Sequence, residues 1–205
     1  NYILEHGYKY FTSNICRFTD TSFFYPEKGV LGYSDTLLGS LPLYVPFRIA
    51  GFDRYTAFQL WFLLNTVLNY LSCFYALKKI TGSFTGAITG SFLFSFSLSN
   101  VQAIWHPQMI GLFPVPLFFF FTINFIEKAK IWHLSMMVLL LSFQTYIAVY
   151  SGFFLFFCGS LFFIIYLLLT VKKEPSLMVK HLENGIKYFA VTAIGLLSIF
   201  PLMKM

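Results

Sequence analysis

The sequence predicts an all-α fold: a multi-pass transmembrane helical bundle whose extracytoplasmic N-terminal segment contains interfacial helices. Apolar residues make up 58% of the 205 residues, against about 45–50% in a typical soluble domain. Charged residues make up only 11%, against about 25%. The apolar residues also form long runs, such as residues 117–121, which would promote aggregation in water but suit contact with lipid.

The N-terminal segment, residues 1–54, contains two apolar elements within a polar surrounding. Three of its first residues share one face of a helix, which predicts a short helix lying in the membrane interface: Leu4, Tyr8 and Phe11. A second apolar element covers residues 37–52. Because Pro42 and Pro46 interrupt it, we expect an interfacial or re-entrant element there rather than a span.

The second part, residues 55–205, is predicted to form the bundle. A membrane span takes about 20 apolar residues, and six stretches reach or approach that length. They are residues 55–77, 83–104, 108–126, 131–147, 149–171 and 187–205. The fourth and fifth stretches are weakly separated, so residues 131–171 can also be interpreted as one bent hairpin that turns around residues 146–152.

A few polar and small residues within the stretches predict how the helices pack. Asn65 and Asn69 lie one helical turn apart, and we expect their amides to bond to neighbouring helices. Gln144 is expected either to bond to another helix or to line a cavity that opens outward. A glycine at every fourth position predicts the close approach of another helix to the second stretch: Gly82, Gly86 and Gly90.

The lysines predict the orientation of the bundle. Eight of the 14 Lys and Arg residues lie in the connections after the first, third and fifth stretches, and the other two connections between stretches hold none. The positive-inside rule puts the lysine-rich connections in the cytoplasm and residues 1–54 outside. A hydrophilic outer segment needs a preceding helix to carry it across, so we predict at least one span upstream of Asn1.

The distribution of the lysines and the motifs that the sequence lacks narrow the class of function. The net charge is +6, but the lysines lie in short loops between apolar stretches, which excludes nucleic acid as the expected partner. The sequence contains no glycine-rich phosphate loop, no HExxH and no paired CxxC. The three cysteines have no metal-ligand spacing. We therefore predict no metal site, and the cofactor stays unknown.

Five of the eight acidic residues lie in the outer segment, and they are the candidates for general-base chemistry. Asp35 is the first catalytic candidate, because it precedes the apolar element of residues 37–52 and should lie at membrane level. Its alternative role is to cap the following turn. Asp20 is the second catalytic candidate, with a solvated role as the alternative.

Cations and hydrogen-bond donors on the same side are the candidates for binding substrate. Arg48 and Arg54 are suited to hold a phosphate. His106 is expected to donate a hydrogen bond to a phosphate or sugar, or else to act as an interfacial cap. Gln108, two residues after His106, and Tyr33, two residues before Asp35, complete the predicted substrate-binding set.

The outer segment resembles the GT-C superfamily of bacterial membrane glycosyltransferases. The resemblance covers about residues 1–150 and includes the order of the elements. Its motifs are Phe23-Phe24-Tyr25-Pro26, Leu31-Gly32-Tyr33-Ser34-Asp35, Leu41-Pro42-Leu43-Tyr44 and Gly51-Phe52. It implies transfer of a sugar from a polyprenyl- or dolichyl-phosphate donor, at the extracytoplasmic face, to a lipid, glycan or protein acceptor.

The resemblance also bears on the catalytic residues. The family's carboxylate lies in the first outer loop, often directly after the first span, and that position would fall before Asn1 here. Asp20 and Asp35 correspond to it only as members of the same loop.

Two other classes of function stay open: a transporter or flippase for a lipid-linked substrate, and a non-catalytic assembly subunit. The predicted spans carry no Asp, Glu or Arg at mid-depth, which favours the enzyme over a transporter. The expected partners are the lipid bilayer and a lipid-linked, polyprenyl-phosphate sugar. The expected location is the bacterial plasma membrane.

Overall fold

The computed structural model describes residues 1–12, 17–21, 26–33, 35–97 and 106–203, and every regular element within these ranges is helical. The α-helices are α1 (Tyr2–Thr12), α2 (Leu41–Ile49), α3 (Arg54–Thr81), α4 (Phe84–Ser95), α5 (Pro114–Lys128), α6 (Ile131–Ile147), α7 (Val149–Lys173), α8 (Ser176–Glu183) and α9 (Gly185–Met203). Short 3-10 turns cover Val30–Tyr33, Leu38–Ser40 and Pro107–Met109. The predicted all-α class is confirmed for the described residues.

Three segments are long and apolar enough to cross a membrane: Arg54–Thr81, Pro107–Lys128 and Val149–Lys173. The other apolar stretches form shorter helices over Phe84–Ser95, Ile131–Ile147 and Gly185–Ile199. The 17 residues of α6 measure about 26 Å, slightly less than the ~30 Å of a bilayer's hydrocarbon core. Residues 98–104, which the sequence assigned to the second stretch, lie outside the described residues.

Helix α7 has an apolar outer surface. Large apolar side chains along it each expose more than half of their surface: Phe153, Phe154, Phe157, Leu161 and Leu168. Such a surface is costly in water, whereas lipid is as apolar as these side chains are. Together with the three long helices, it indicates a membrane protein.

The helices of these three segments, α3, α5 and α7, run in the same direction. Contacts advance in step along each pair: Asn69 with Ile110 and Tyr75 with Phe120, then Phe119 with Phe162 and Glu127 with Tyr166. Each helix ends in lysines, so one end of the bundle gathers the positive charge: Lys78, Lys79, Lys128, Lys172 and Lys173. We call this end the lysine end.

A tight turn brings α4 back along α3. Gly82 ends α3 in the left-handed conformation (φ 71°), and the Ser83 hydroxyl caps α4 by accepting from the Gly86 amide at 3.1 Å. A Cβ added at Gly90 would lie 2.5 Å from a methyl carbon of Leu77. The close approach predicted from the glycine spacing is therefore confirmed at Gly90, whereas Gly82 belongs to the turn.

The third apolar stretch begins differently from the prediction. Pro107 begins the 3-10 turn Pro107–Met109 rather than a long helix, and α5 begins at Pro114. The intervening residues 110–112 are not helical. Outside a helix these peptide groups lack the regular backbone partners, although the Leu112 amide donates to the Ile110 carbonyl at 2.9 Å, and leaving buried peptide groups unpaired is costly.

Buried amide side chains supply the missing partners. The Nδ2 of Asn69 donates to the carbonyl of Ile110 at 2.8 Å, and its Oδ1 accepts from the amide of Leu112 at 3.0 Å. The Nε2 of Gln144 donates to the carbonyl of Gly111 at 3.0 Å. The predicted bonding of Asn69 and Gln144 to other elements is confirmed. We call this set of bonds the amide clamp.

The amide clamp can be tested by replacing Asn69. Asn69→Ala removes both of these bonds and leaves the Ile110 carbonyl and the Leu112 amide with the bond between them at 2.9 Å, and each lost hydrogen bond costs about 0.5–1.5 kcal/mol. Asn65→Ala is the matched control, because Asn65 is equally buried on the same helix but donates only to Trp61, one turn earlier. We expect Asn69→Ala to lower the unfolding free energy in detergent more than the control. Equal losses would contradict the clamp.

Candidate functional site

A shielded ion pair joins α1 to α2. The Oε2 of Glu5 accepts hydrogen bonds from Arg48 Nε at 2.9 Å and from the Tyr44 hydroxyl at 2.8 Å. Its Oε1 accepts from Arg48 Nη2 at 3.0 Å, so the guanidinium binds both carboxylate oxygens. Tyr44 is fully buried, and only 10% of the Glu5 side chain is exposed. This geometry fixes the position of α1 on α2.

The donors of this ion pair keep their protons at physiological pH. Burial, followed by the hydrogen bond to Glu5, raises the pKa of the Tyr44 hydroxyl. The hydrogen bond to Glu5 also raises the pKa of the Arg48 guanidinium. Arg48 Nη1 donates in addition to the carbonyl of Phe52. Arg48, a predicted substrate ligand, thus lies in an internal ion pair.

Next to this ion pair lies a cavity of about 560 Å³, between one face of α1, residue 20 of the following loop and the first turn of α3. The lining residues are Asn1, Tyr2, Glu5, His6, Lys9, Asp20, Arg54 and Tyr55. Asp20 and Arg54, two predicted site residues, come together here. We call this space the outer cavity.

Asp20 is held in place by its own loop. Its Oδ1 accepts from the amide of Gly29 at 2.9 Å and from the hydroxyl of Thr19 at 3.3 Å. The amide of Leu31 donates to the carbonyl of Thr19 at 3.1 Å, which closes the loop. Gly29 has a φ of 70°, a conformation that favours glycine. The bonds from the Gly29 amide and the Thr19 hydroxyl both go to Oδ1 of Asp20. Among the described residues, Oδ2 has no hydrogen-bond partner.

His6 forms part of the floor of the outer cavity. Its Nε2 donates to the carbonyl of Phe18 at 2.8 Å, and its ring packs between Tyr2 and Phe18. In the neutral ring this bond leaves Nδ1 as the acceptor. The nearly buried imidazole is therefore fixed in both orientation and tautomer.

The first turn of α3 supplies a cation to the outer cavity. The Arg54 guanidinium stacks over the ring of Tyr55, 4.5 Å from its centroid, and donates to its hydroxyl. Asp53 caps the helix by accepting from the amides of Tyr55 at 2.9 Å and Thr56 at 3.2 Å. The Thr56 hydroxyl and these amides lower the pKa of Asp53. Asp53 thus serves the helix end, while Arg54 remains exposed.

Asp35, the first catalytic candidate, lies elsewhere and is buried. Its Oδ1 accepts from the backbone amide of Val149 at 2.8 Å, at the start of α7 and 114 residues along the chain. Burial raises the pKa of Asp35, and the bond from Val149 opposes that rise. The sequence predicted either a catalytic carboxylate or a cap for the turn that follows. Asp35 caps a distant helix rather than the turn that follows it, so the capping alternative is corrected, while the catalytic role stays a prediction.

Two further candidates, His106 and Gln108, do not line the outer cavity. His106 has an exposed side chain, and its carbonyl accepts from the amide of Met109 at 2.9 Å. Gln108 lies half-buried in the same 3-10 turn, Pro107–Met109. Tyr33 ends the turn Val30–Tyr33. The structure therefore brings Asp20 and Arg54 together and leaves Asp35, Arg48, His106 and Gln108 outside the lining of the outer cavity.

The sequence did not assign the side chains that α1 contributes. Tyr2, Glu5, His6 and Lys9 follow helical spacing along one face, which is the polar face of an amphipathic helix. Such a face is usually solvated, so the spacing alone gave no reason to place a site there. The covering loop and the start of α3 turn this face into a cavity wall.

The outer cavity is chemically suited to a small anion with hydroxyl groups. Lys9 and Arg54 supply positive charge, Asp20 supplies a carboxylate and His6 supplies a ring nitrogen. Among the described residues, no group of three or more His, Cys, Asp or Glu side chains is arranged to hold a metal ion.

No protein-family model, no curated protein and no solved structure matches this chain.

A double-mutant cycle tests the ion pair between Glu5 and Arg48. Each single change, Glu5→Gln or Arg48→Gln, leaves one shielded charge without its partner, whereas the double change leaves neither. We expect the double variant to be more stable than the sum of the single losses predicts, with a coupling of about 0.5–3 kcal/mol in unfolding experiments. Arg48→Gln combined with Glu174→Gln, an exposed carboxylate at the lysine end, should be additive. Additivity in the Glu5 cycle would argue against the ion pair.

Asp35 can be tested with two variants. Asp35→Asn keeps an oxygen that accepts from the Val149 amide, whereas Asp35→Ala removes it. Loss of a helix cap costs about 0.5–2 kcal/mol, so Asp35→Ala should unfold at a lower temperature than Asp35→Asn.

The pH dependence of unfolding gives a second test of Asp35. Burial raises the folded-state pKa of Asp35 above the ordinary value of 3.8. The stability that the protonated carboxyl contributes is therefore full below pH 3.8 and is lost as the pH rises through the folded-state pKa. Relative to Asp35→Asn, the wild type should therefore lose stability with rising pH. A rise instead would contradict this assignment.

Proposed function

We propose that this protein is an integral membrane glycosyltransferase that moves a sugar from a lipid-phosphate donor at the extracytoplasmic face. The observation that supports it best is the outer cavity, in which the carboxylate of Asp20 shares a lining with the cations Lys9 and Arg54. Cations that bind a phosphate, next to a carboxylate that accepts a proton, are the groups such a transfer needs. The resemblance of the outer segment to the GT-C superfamily agrees with this proposal.

The direction of the helices supports a multi-pass topology with the outer cavity outside the cell. Helices α3, α5 and α7 run parallel and carry their lysines at one end. The positive-inside rule assigns that end to the cytoplasm. The outer cavity lies at the first turn of α3, the opposite end of that helix. A lipid-linked donor in the outer leaflet would reach the cavity from the side of the membrane.

The size and charge of the outer cavity fit a sugar phosphate. Small-molecule sites measure about 300–1,000 Å³, and the outer cavity measures about 560 Å³. Lys9 and Arg54 would hold the phosphate, and Arg54 is already oriented by its stacking on Tyr55. His6 would accept a hydrogen bond at Nδ1 from a sugar or acceptor hydroxyl. The lipid chain would remain in the bilayer.

Asp20 is the best candidate for the general base. Three of the other outer carboxylates are engaged: Glu5 in the ion pair, Asp35 in capping α7 and Asp53 in capping α3. The fourth, Glu27, is exposed and is not part of the lining of the outer cavity. Asp20 lines the cavity, and its Oδ2 has no partner among the described residues. It would take the proton of the acceptor hydroxyl as the hydroxyl oxygen attacks the anomeric carbon. The bond from that carbon to the phosphate oxygen breaks, and the phosphate leaves with the electron pair.

The test is transfer of labelled sugar from a polyprenyl-phosphate donor by the full-length protein in membranes. Asp20→Asn keeps the hydrogen bonds of the loop but cannot accept the proton, and general-base catalysis is worth about 10²–10⁴-fold in rate. We expect a loss of at least about 100-fold in the rate constant. Asp53→Asn is the matched control, since it makes the same change in a carboxylate outside the cavity and keeps the cap; it should retain activity.

A second variant separates binding from chemistry. Lys9→Met removes a cation from the outer cavity and should raise KM for the donor while changing kcat less, because it weakens the binding of the phosphate. Full activity of Asp20→Asn would exclude Asp20 as the base. If the wild type consumes no lipid-linked sugar, the enzymatic proposal is wrong, and transport or an assembly role takes its place.

A further inference from the structure

A second cavity lies at the lysine end and is separate from the proposed donor site. It measures about 680 Å³, between the last turns of α3 and α5, the first turn of α6 and the last part of α7. Its lining includes Lys79, Phe120, Glu127, Lys128, Trp132 and His133, and we call it the inner cavity. Arg54 and Lys79 are 25 positions apart on α3, so the two cavities are about 37 Å apart along that helix.

The lining of this inner cavity carries net positive charge. Lys79 is exposed, with its Nζ 5.9 Å from the ring centroid of Tyr75. Lys128 is also exposed, and its Nζ donates to Asn124. The one carboxylate in the lining is Glu127, and its Oε1 accepts from the Tyr166 hydroxyl at 2.7 Å. Two lysines against one carboxylate favour an anion.

The first turn of α6 adds further polar groups that suit an anion. Among the described residues no side chain caps this helix end, where the backbone amides give partial positive charge. His133, in the same turn, has an Nδ1 that is shielded from water and has no partner among the described residues. Its ring packs on Phe121, 6.0 Å between centroids, so the imidazole is held in the wall of the cavity.

The other half of the inner cavity is apolar. Phe120 and Phe121 from α5 and Ile80 from α3 form this part, and Phe120 packs edge-on against Tyr75 at 5.5 Å. Trp132 is exposed beside them, as is usual for a tryptophan at the surface of a membrane. A free phosphate would use only the polar half, whereas a lipid would fill both halves.

We propose that the inner cavity binds an anionic membrane lipid, with its phosphate at Lys79, Lys128 and the first turn of α6. The glycerol and the start of the acyl chains lie against the apolar half. Each lysine near a lipid phosphate contributes about fivefold to affinity. A lipid held here joins the ends of α3, α5 and α7 on the side of the membrane opposite the outer cavity.

The experiment measures lipid binding to the full-length protein in detergent by native mass spectrometry. Phosphatidylglycerol, which is anionic, is compared with zwitterionic phosphatidylcholine of the same chain length. The variant Lys79→Gln/Lys128→Gln removes both cavity lysines. The variant Lys172→Gln/Lys173→Gln is the matched control, because it removes the same charge at the same end outside the cavity.

We expect the wild type and the control to prefer phosphatidylglycerol. The cavity variant should bind it at least about tenfold more weakly. Phosphatidylglycerol should also raise the midpoint of thermal unfolding of the wild type but not of the cavity variant. If the double variant fails to fold, Lys79→Gln alone, a change at an exposed side chain, should show about a fivefold loss.

Three results would overturn the proposal. Equal losses in the cavity variant and the control would mean that the lipid responds only to the general surface charge. Equal binding of the two lipids would mean that the cavity does not select an anion. Displacement of phosphatidylglycerol by excess inorganic phosphate would mean that the site takes the free anion rather than a lipid.

Discussion

The fold depends on satisfying the peptide groups of residues 110–112, which leave helical geometry in buried surroundings. In a bilayer no water is available to such groups, so they must bond to other backbone groups or to side chains of neighbouring helices. Asn69 does so from α3 and Gln144 from α6, and both are fully buried. These bonds fix the starting level of α5 relative to α3 and α6. Because helices are stiff, that level also determines which residues meet at the lysine end, where Lys79 and Lys128 line one cavity.

Peptide groups that lack helical partners also need other bonds at the break between α6 and α7. Ala148 is extended there, with φ −152°, so the first amides of α7 need partners from outside the helix. Asp35 accepts from the amide of Val149, and Gln144 donates to the hydroxyl of Ser151 at 2.7 Å. The outer segment and the bundle are therefore joined at the point where the chain reverses between two apolar helices.

The helical class could be predicted from composition alone. A chain of this length with so many apolar and so few charged residues fits a bundle of membrane-spanning helices better than a soluble domain. The end of α3 also follows from local chemistry, since Gly82 adopts a left-handed conformation that glycine reaches without strain. The start of α5 could not be predicted from the local sequence, because Pro107 fits the first turn of either an α-helix or a 3-10 turn. The choice depends on Asn69, whose contact is 41 residues away in sequence.

The roles of the outer residues were harder to predict for the same reason. Glu5 and Arg48 are 43 residues apart, and the partner of Asp35 is 114 residues away. No local sequence pattern indicates contacts between residues so far apart in the chain. A residue that forms an internal bond therefore looks the same in sequence as one that binds substrate. Asp20 and Arg54 share a cavity only because α1 is fixed on α2 and the loop that follows it lies against α1.

The ion pair between Glu5 and Arg48 also sets the electrostatics of the outer cavity. Glu5 lines that cavity, and without Arg48 its carboxylate and that of Asp20 would offset the charges of Lys9 and Arg54. With Glu5 neutralised by the bound guanidinium, two cations face one carboxylate, and the lining keeps a net positive charge. A phosphate can then approach a carboxylate without net repulsion. The internal ion pair between Glu5 and Arg48 thus leaves the two cations of the outer cavity, Lys9 and Arg54, opposed by the carboxylate of Asp20 alone.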